Sequence, residues 1–145
     1  PYPTKRKGDF SPVFHITGPT ENTYIHNNII ILPKNTLDNT IVRMDNWGNL
    51  WPINTVFENN IFYSEVPSRF LFGEDKGTLF NSNNYYGNIK NIPKDLNAVF
   101  TKPNFINEKA RGDGFEILKN FMLKKGDPTS KANLSVSDQI LINNK

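Results

Sequence analysis

A recurring asparagine phrase constrains this chain more than any other feature. It reads Ile25-His26-Asn27-Asn28-Ile29-Ile30-Ile31, then Phe57-Glu58-Asn59-Asn60-Ile61-Phe62-Tyr63, then Phe80-Asn81-Ser82-Asn83-Asn84-Tyr85-Tyr86. Asn28, Asn60 and Asn83 are equivalent in this alignment, with Asn84 the alternative in the third copy. The steps between them are 32 and 23 residues. Repeats of about 20–50 residues mark architectures built by stacking one unit on the next. Asparagine enters the left-handed backbone region more readily than most residues, so it suits a tight turn between two short strands. Stacked asparagines can also pass hydrogen bonds from amide to amide. A polar surface loop repeated by chance is the alternative. Three copies, each flanked by β-formers, favour stacking.

A second column supports the same reading. Phe14-His15-Ile16-Thr17, Val42-Arg43-Met44-Asp45 and Phe70-Leu71-Phe72-Gly73 each precede a copy of the phrase, 28 residues apart. Each has apolar residues two apart, the period of a strand. The expected fold is all-β: a right-handed parallel β-helix of about three coils over residues 13–100. Residues 1–12 form a lead-in, and 101–145 form an irregular segment and end cap. Within 101–145, Glu116 to Lys125 is expected to form a strand pair, and Leu134 to Ile142 fits a short helix or a strand equally well. Pro19, Pro33, Pro52 and Pro67 fall between the expected strands, where a missing donor costs least. The longest loop runs through Asn46-Trp47-Gly48-Asn49-Leu50-Trp51-Pro52 and projects from the stack.

At this point the chain resembles a family. The Asn-Asn coils are similar to those of bacterial right-handed parallel β-helix proteins of the pectate-lyase-like superfamily. Lys102-Pro103-Asn104-Phe105-Ile106-Asn107 is similar to that family's D-P-x-F-V-N phrase. Gly112-Asp113-Gly114-Phe115, followed by Phe121-Met122-Leu123-Lys124-Lys125-Gly126-Asp127-Pro128, is similar to its G-D-G-F … F-x-L-K-x-G-S-P ending. Lys102 stands where the family usually has Asp, and Asp127 where it usually has Ser. The resemblance covers roughly residues 13–132 and implies the C-terminal part of an exported polysaccharide-active protein, a lyase or glycosidase. Its implied setting is secreted, periplasmic or on the bacterial cell surface. The start without Met fits a fragment or processed product, whose partners include a polysaccharide or oligosaccharide and the upstream coils of a parent chain.

Composition sets outer limits. Hydrophobic residues make up 37%, with 11 Phe, enough for one continuous core. No apolar run reaches the 18 or so residues of a membrane span. Cysteine is absent, which excludes disulfides and thiolate metal sites. The net charge of +3 is mildly basic. Lys5-Arg6-Lys7 reads as a solvated terminus before it reads as an anion site. No zinc-finger spacing, recognition-helix pattern or aromatic RNA motif points to nucleic acid.

Candidate site residues follow from the expected coils. The outward set of the first column is His15, Arg43 and Leu71, followed by Thr17, Asp45 and Gly73. Coils stack about 4.8 Å apart, so His15, Arg43 and Asp45 fall on one face. Such a trio can supply acid–base chemistry and carboxylate recognition, or it is a surface ion pair with a bystander histidine. Leu71 and Gly73 interrupt the columns, which places any active centre toward the N-terminal side. Trp47, Trp51 and Arg43 are the candidate sugar contacts, with core-edge packing as the alternative for the tryptophans. Tyr63, Tyr85 and Tyr86 read mainly as core. His26 and Glu58 align, with Asn81 third, as a polar pair across coils. No metal or cofactor is expected: Glu74-Asp75 lacks a calcium loop, and no phosphate loop or serine nucleophile motif occurs. Asn133-Leu134-Ser135 is a chance glycosylation match in a bacterial chain. The competing functions are a noncatalytic carbohydrate-binding or adhesion module and a structural stalk, and fold alone does not choose between them.

Overall fold

The computed structural model of the chain describes residues 12–74, 76–110, 112 and 115–129. Strands dominate, and they pair in parallel within two sheets. The shorter sheet contains β2 (Tyr24–His26), β5 (Val56–Glu58) and β7 (Leu79–Asn81), in that order. Its register is Ile25↔Phe57↔Phe80. Alternation decides which side faces in: Phe57 and Phe80 are buried, while Tyr24 and His26 are exposed. The Phe57 and Phe80 rings lie 4.6 Å apart and nearly coplanar in tilt, at 3°.

The larger sheet contains β1 (Phe14–Thr17), β4 (Thr40–Asp45), β6 (Ile61–Leu71), β3 (Ile29–Leu32) and β8 (Asn84–Lys90). β6 serves two columns. Its first part pairs with β3 and β8, through Ile30↔Phe62↔Tyr85. Its last part pairs with β4, through Val42↔Phe70 and Arg43↔Leu71. Pro67 therefore lies inside a strand and not between strands. It is tolerated because the pairing of β6 with β8 lapses between Ser64 and Ser68, so no ladder donor is lost there. The chain visits the columns in a fixed order, and isolated parallel bridges Phe80↔Asp95 and Asn84↔Val99 carry that order one step past β8. The core runs along the inside of both sheets. Ile41, Val42, Phe57, Ile61 and Phe62 are fully buried, with Phe70 and Tyr85 packed against them.

Asparagine does two separate jobs in the turns. Asn27, Asn59 and Ser82 take positive φ after the short strands, and Asn22, Asn54 and Gly77 do so before them. Each short strand is thus bracketed by two left-handed residues five positions apart. These φ values of 53–81° are ones that asparagine and glycine accept at low cost.

The next residue along makes the ladder. Asn28 Nδ2 donates to Asn60 Oδ1 at 3.0 Å, and Asn60 Nδ2 donates to Asn83 Oδ1 at 2.9 Å. The backbone N–H groups of Asn28 and Asn60 donate to the same two oxygens. Each inner amide also reaches back, Asn60 to the Ile25 carbonyl and Asn83 to the Phe57 carbonyl. Asn60 and Asn83 are wholly buried yet fully paired, as buried polar groups must be. The column ends on Asp95, which accepts from the backbone N–H and Nδ2 of Asn83. It also accepts from the Tyr85 hydroxyl at 3.0 Å. Burial, with Asp95's charge beside it, pushes the Tyr85 phenol well up.

Residues 100–129 depart from expectation in one respect. The stretch expected as a strand pair, Glu116 to Lys125, opens as a 3-10 helix over Phe115–Phe121. Phe115 is 89% exposed and Leu118 57%, while Phe121, at the far end, packs edge-on against the buried Phe105. Local i,i+3 contacts take over, among them the Glu116–Lys119 ion pair. Only Leu123 enters a bridge, antiparallel to Phe105. The two phrases that carried the family resemblance meet here. Lys124 N–H donates to the Asn104 carbonyl, and Asp127 accepts from Asn104 N–H at 2.7 Å. Phe105 packs edge-on against Tyr63, on the outer side of β6. The expected features at Lys5-Arg6-Lys7, Asp75, Asn133 and Leu134 to Ile142 lie outside the described residues.

Candidate functional site

β1 and β4 set the first half of the site. Their parallel register is His15↔Arg43 and Thr17↔Asp45. Ile16, Val42 and Met44 turn inward, so alternation turns His15, Arg43 and Asp45 outward together. His15 Nε2 lies 2.8 Å from Asp45 Oδ2, and Arg43 Nε donates to the same oxygen at 2.6 Å. Burial pushes the Asp45 carboxyl up. The hydrogen bonds and charges of Arg43 and His15 outweigh it and hold the group below the usual carboxylate range. Asp45 is therefore a fixed negative charge, and its low basicity suits orientation better than proton transfer.

The long loop between β4 and β5 sets the second half. Trp47 and Leu50 exchange backbone hydrogen bonds at 3.0 and 3.1 Å, closing a two-residue hairpin on Gly48 and Asn49. Both turn residues have positive φ, 59° and 62°, as a type I′ turn requires. Beyond the hairpin, Ile53 bonds to the first circuit through Thr20 and Asn22. The loop is thus tied down along its length. Trp47, at its tip, is 71% exposed.

Trp51 folds back onto Gly73. A Cβ at residue 73 would lie 1.9 Å from the Trp51 ring, so only glycine fits. From the sequence, Gly73 reads as an interruption of the outward column. In the structure it is the seat of an aromatic ring. Beside this ring lies a crevice of about 210 Å³, lined by Trp51, Pro19, Glu21, Asn49 and the Glu74–Lys76 ion pair, with Leu50 and Ile53 completing the wall. None of the charged trio lines the crevice; the link between them is through the backbone, where Gly18, just before the lining residue Pro19, donates its N–H to the Asp45 carbonyl.

Of the sequence candidates, His15, Arg43 and Asp45 come together, and Trp51 stands beside the adjoining crevice. Trp47 does not line it. Glu21 and Lys76 are not site candidates in the sequence, Asn49 enters only as part of the projecting loop, and Glu74 is weighed only for calcium, because all four are polar loop residues outside any repeated column. A second polar group forms on the outer face of β2, β5 and β7. Tyr24 donates to Glu58, Asn81 Nδ2 donates to Glu58 at 2.8 Å, and the His26 ring stacks on Tyr24. The bonds from Tyr24 and Asn81, with His26 nearby, hold the Glu58 carboxyl below its usual range. Tyr63 and Tyr86 stack on the outer side of β6 and β8, and Tyr85 is the buried member of the three. Among the described residues, no group of three or more His, Cys, Asp or Glu is placed to hold a metal ion. No helix among them is long and apolar enough to cross a membrane.

No protein-family model matches the chain, and comparison with curated proteins and with solved structures found no match.

Proposed function

We propose that the chain is a segment of a right-handed parallel β-helix, of the pectate-lyase-like kind, that binds polysaccharide along one outer face. Parallel pairing of successive circuits supports the fold, and the strong right-handed preference of parallel crossovers supports its hand. The observation that carries the function is the Trp51 crevice, whose lining residue Pro19 follows the Gly18 that is bonded to Asp45. An indole wall offers a surface for a sugar ring, and Asn49, Glu21 and Glu74 offer partners for hydroxyls. At about 210 Å³ the space is smaller than a drug-sized pocket of about 300 Å³ and upward. It suits one ring of a longer chain. Such a ligand implies a secreted, periplasmic or cell-surface setting.

Within this reading the segment supplies scaffold and part of a glycan groove in a lyase or glycosidase. A second reading, a noncatalytic carbohydrate-binding or adhesion module, is favoured by the state of Asp45. Its acceptor oxygen is already shared by Arg43 and His15, so little proton-transfer capacity remains. The test is a panel of neutral and uronate-containing polysaccharides, assayed for cleavage and titrated by Trp fluorescence. Binding lost in Trp51→Ala, without cleavage, supports the binding reading. Cleavage abolished by His15→Ala or Asp45→Ala makes the trio a catalytic centre. Absence of binding to every glycan sinks both.

A further inference from the structure

A second crevice, of about 410 Å³, lies in the segment after the parallel strands. It falls inside the size range of small-molecule sites. Its chemistry differs from that of the Trp51 crevice. Lys102, Lys109 and Lys124 line it, and among the described residues Glu108 is the one carboxylate that does. Lys102 is spent on Glu108 at 3.1 Å. Among the described residues, neither Lys109 nor Lys124 has a carboxylate within ion-pair reach. The side chains of Asn104 and Asn107 face the same space.

The backbone under these groups is fixed. Ile106 N–H donates to the Met122 carbonyl, and Asn107 N–H to the Asn120 carbonyl, at 2.9 and 2.8 Å. Lys124 N–H donates to the Asn104 carbonyl, which holds Lys124 opposite Asn104. Pro103 and Phe105 are buried beneath. Two lysines with no carboxylate partner among the described residues therefore line a site whose backbone floor is hydrogen-bonded.

We propose that this crevice binds a phosphate or sulfate monoester carried on a polyol, at a site separate from the Trp51 face. Ammonium groups act as point charges and suit a tetrahedral oxyanion, whereas planar carboxylates are matched best by the arginine fork. Among the described residues, no arginine lines the crevice. The amide groups of Asn104 and Asn107 supply donors for adjacent hydroxyls, the Asn107 oxygen already accepting from Lys109 N–H.

The test is calorimetric titration of the whole chain with glucose 6-phosphate and glucose 6-sulfate, beside glucose and inorganic phosphate. The esters should bind, more weakly as salt is raised. Lys109→Ala/Lys124→Ala should weaken them at least tenfold, while Lys125→Ala, just outside the crevice, should not. The comparison of phosphate with sulfate identifies the preferred ester. Trp51→Ala should leave ester binding unchanged, which separates this site from the glycan face. The proposal is overturned if the double variant binds as the parent does, if Lys125→Ala weakens binding equally, or if inorganic phosphate binds as tightly as the esters.

Discussion

At the residue scale, Asn60 is the position where one atom matters most. Its carbonyl oxygen takes two donors from Asn28, and its amide gives one bond back to Ile25 and one onward to Asn83. Asn60→Ala should destabilise by about 1–3 kcal/mol, because buried partners lose their bonds. Asn60→Asp should be worse, by about 3–5 kcal/mol, since a buried carboxylate would face the Ile25 and Asn83 oxygens. Urea unfolding of both variants checks the order, and an Asp variant as stable as the Ala variant would contradict a donor role. Gly73 is the second such position. Gly73→Ala places a methyl into the Trp51 ring. It should cost about 1–3 kcal/mol through overpacking and shift the Trp fluorescence as the ring is displaced. Unchanged emission together with unchanged stability would show that the ring is not seated there.

At the element scale, paired parallel strands are joined by outward polar contacts as well as by their backbones. His15 on β1 meets Asp45 on β4, and Tyr24 on β2 meets Glu58 on β5. Both carboxyls sit below their ordinary values of 3.8 and 4.5. A depressed folded value means the contribution is complete above those ordinary values and lost as pH falls through the lower, folded ones. Melting temperature should therefore hold near neutrality and drop below about pH 4.5, with a shallower acid slope in Asp45→Asn. An identical slope in that variant would remove Asp45 from the account. These elements were largely legible in the sequence. The 28-residue column anticipated the pairing of His15 with Arg43 and of Arg43 with Leu71, because alternation and spacing are local properties. What the phrase could not separate was its two asparagines: Asn27 bends the chain and Asn28 carries the ladder, yet both are one residue type. The 3-10 helix at Phe115 was readable and was missed: Phe115, Leu118 and Phe121 recur every three residues, the period of that helix.

At the scale of the whole molecule, Asp95 was the residue least visible beforehand. It lies in Asn91-Ile92-Pro93-Lys94-Asp95, which shares no phrase with the other rungs, so only the fold brings it beneath Asn83. Its presence gives the ladder a sense of travel. From side chain to side chain, each amide donates one proton in the same direction, from Asn28 toward Asp95, and a carboxylate has none to hand on. The two ends are thus unlike. Among the described residues nothing donates to Asn28 Oδ1, whereas Asp95 is already crowded with donors from Ser82, Asn83, Tyr85 and Asn97. Two copies set end to end would bring an oxygen to an oxygen at the seam. Among the described residues the carboxylate ends the column, because it accepts without donating, and this gives an expectation for association between molecules. Asp95→Asn restores a transferable proton and should shift the sedimentation of concentrated protein toward larger, end-to-end species. A distribution identical to that of the parent chain would show that termination lies elsewhere.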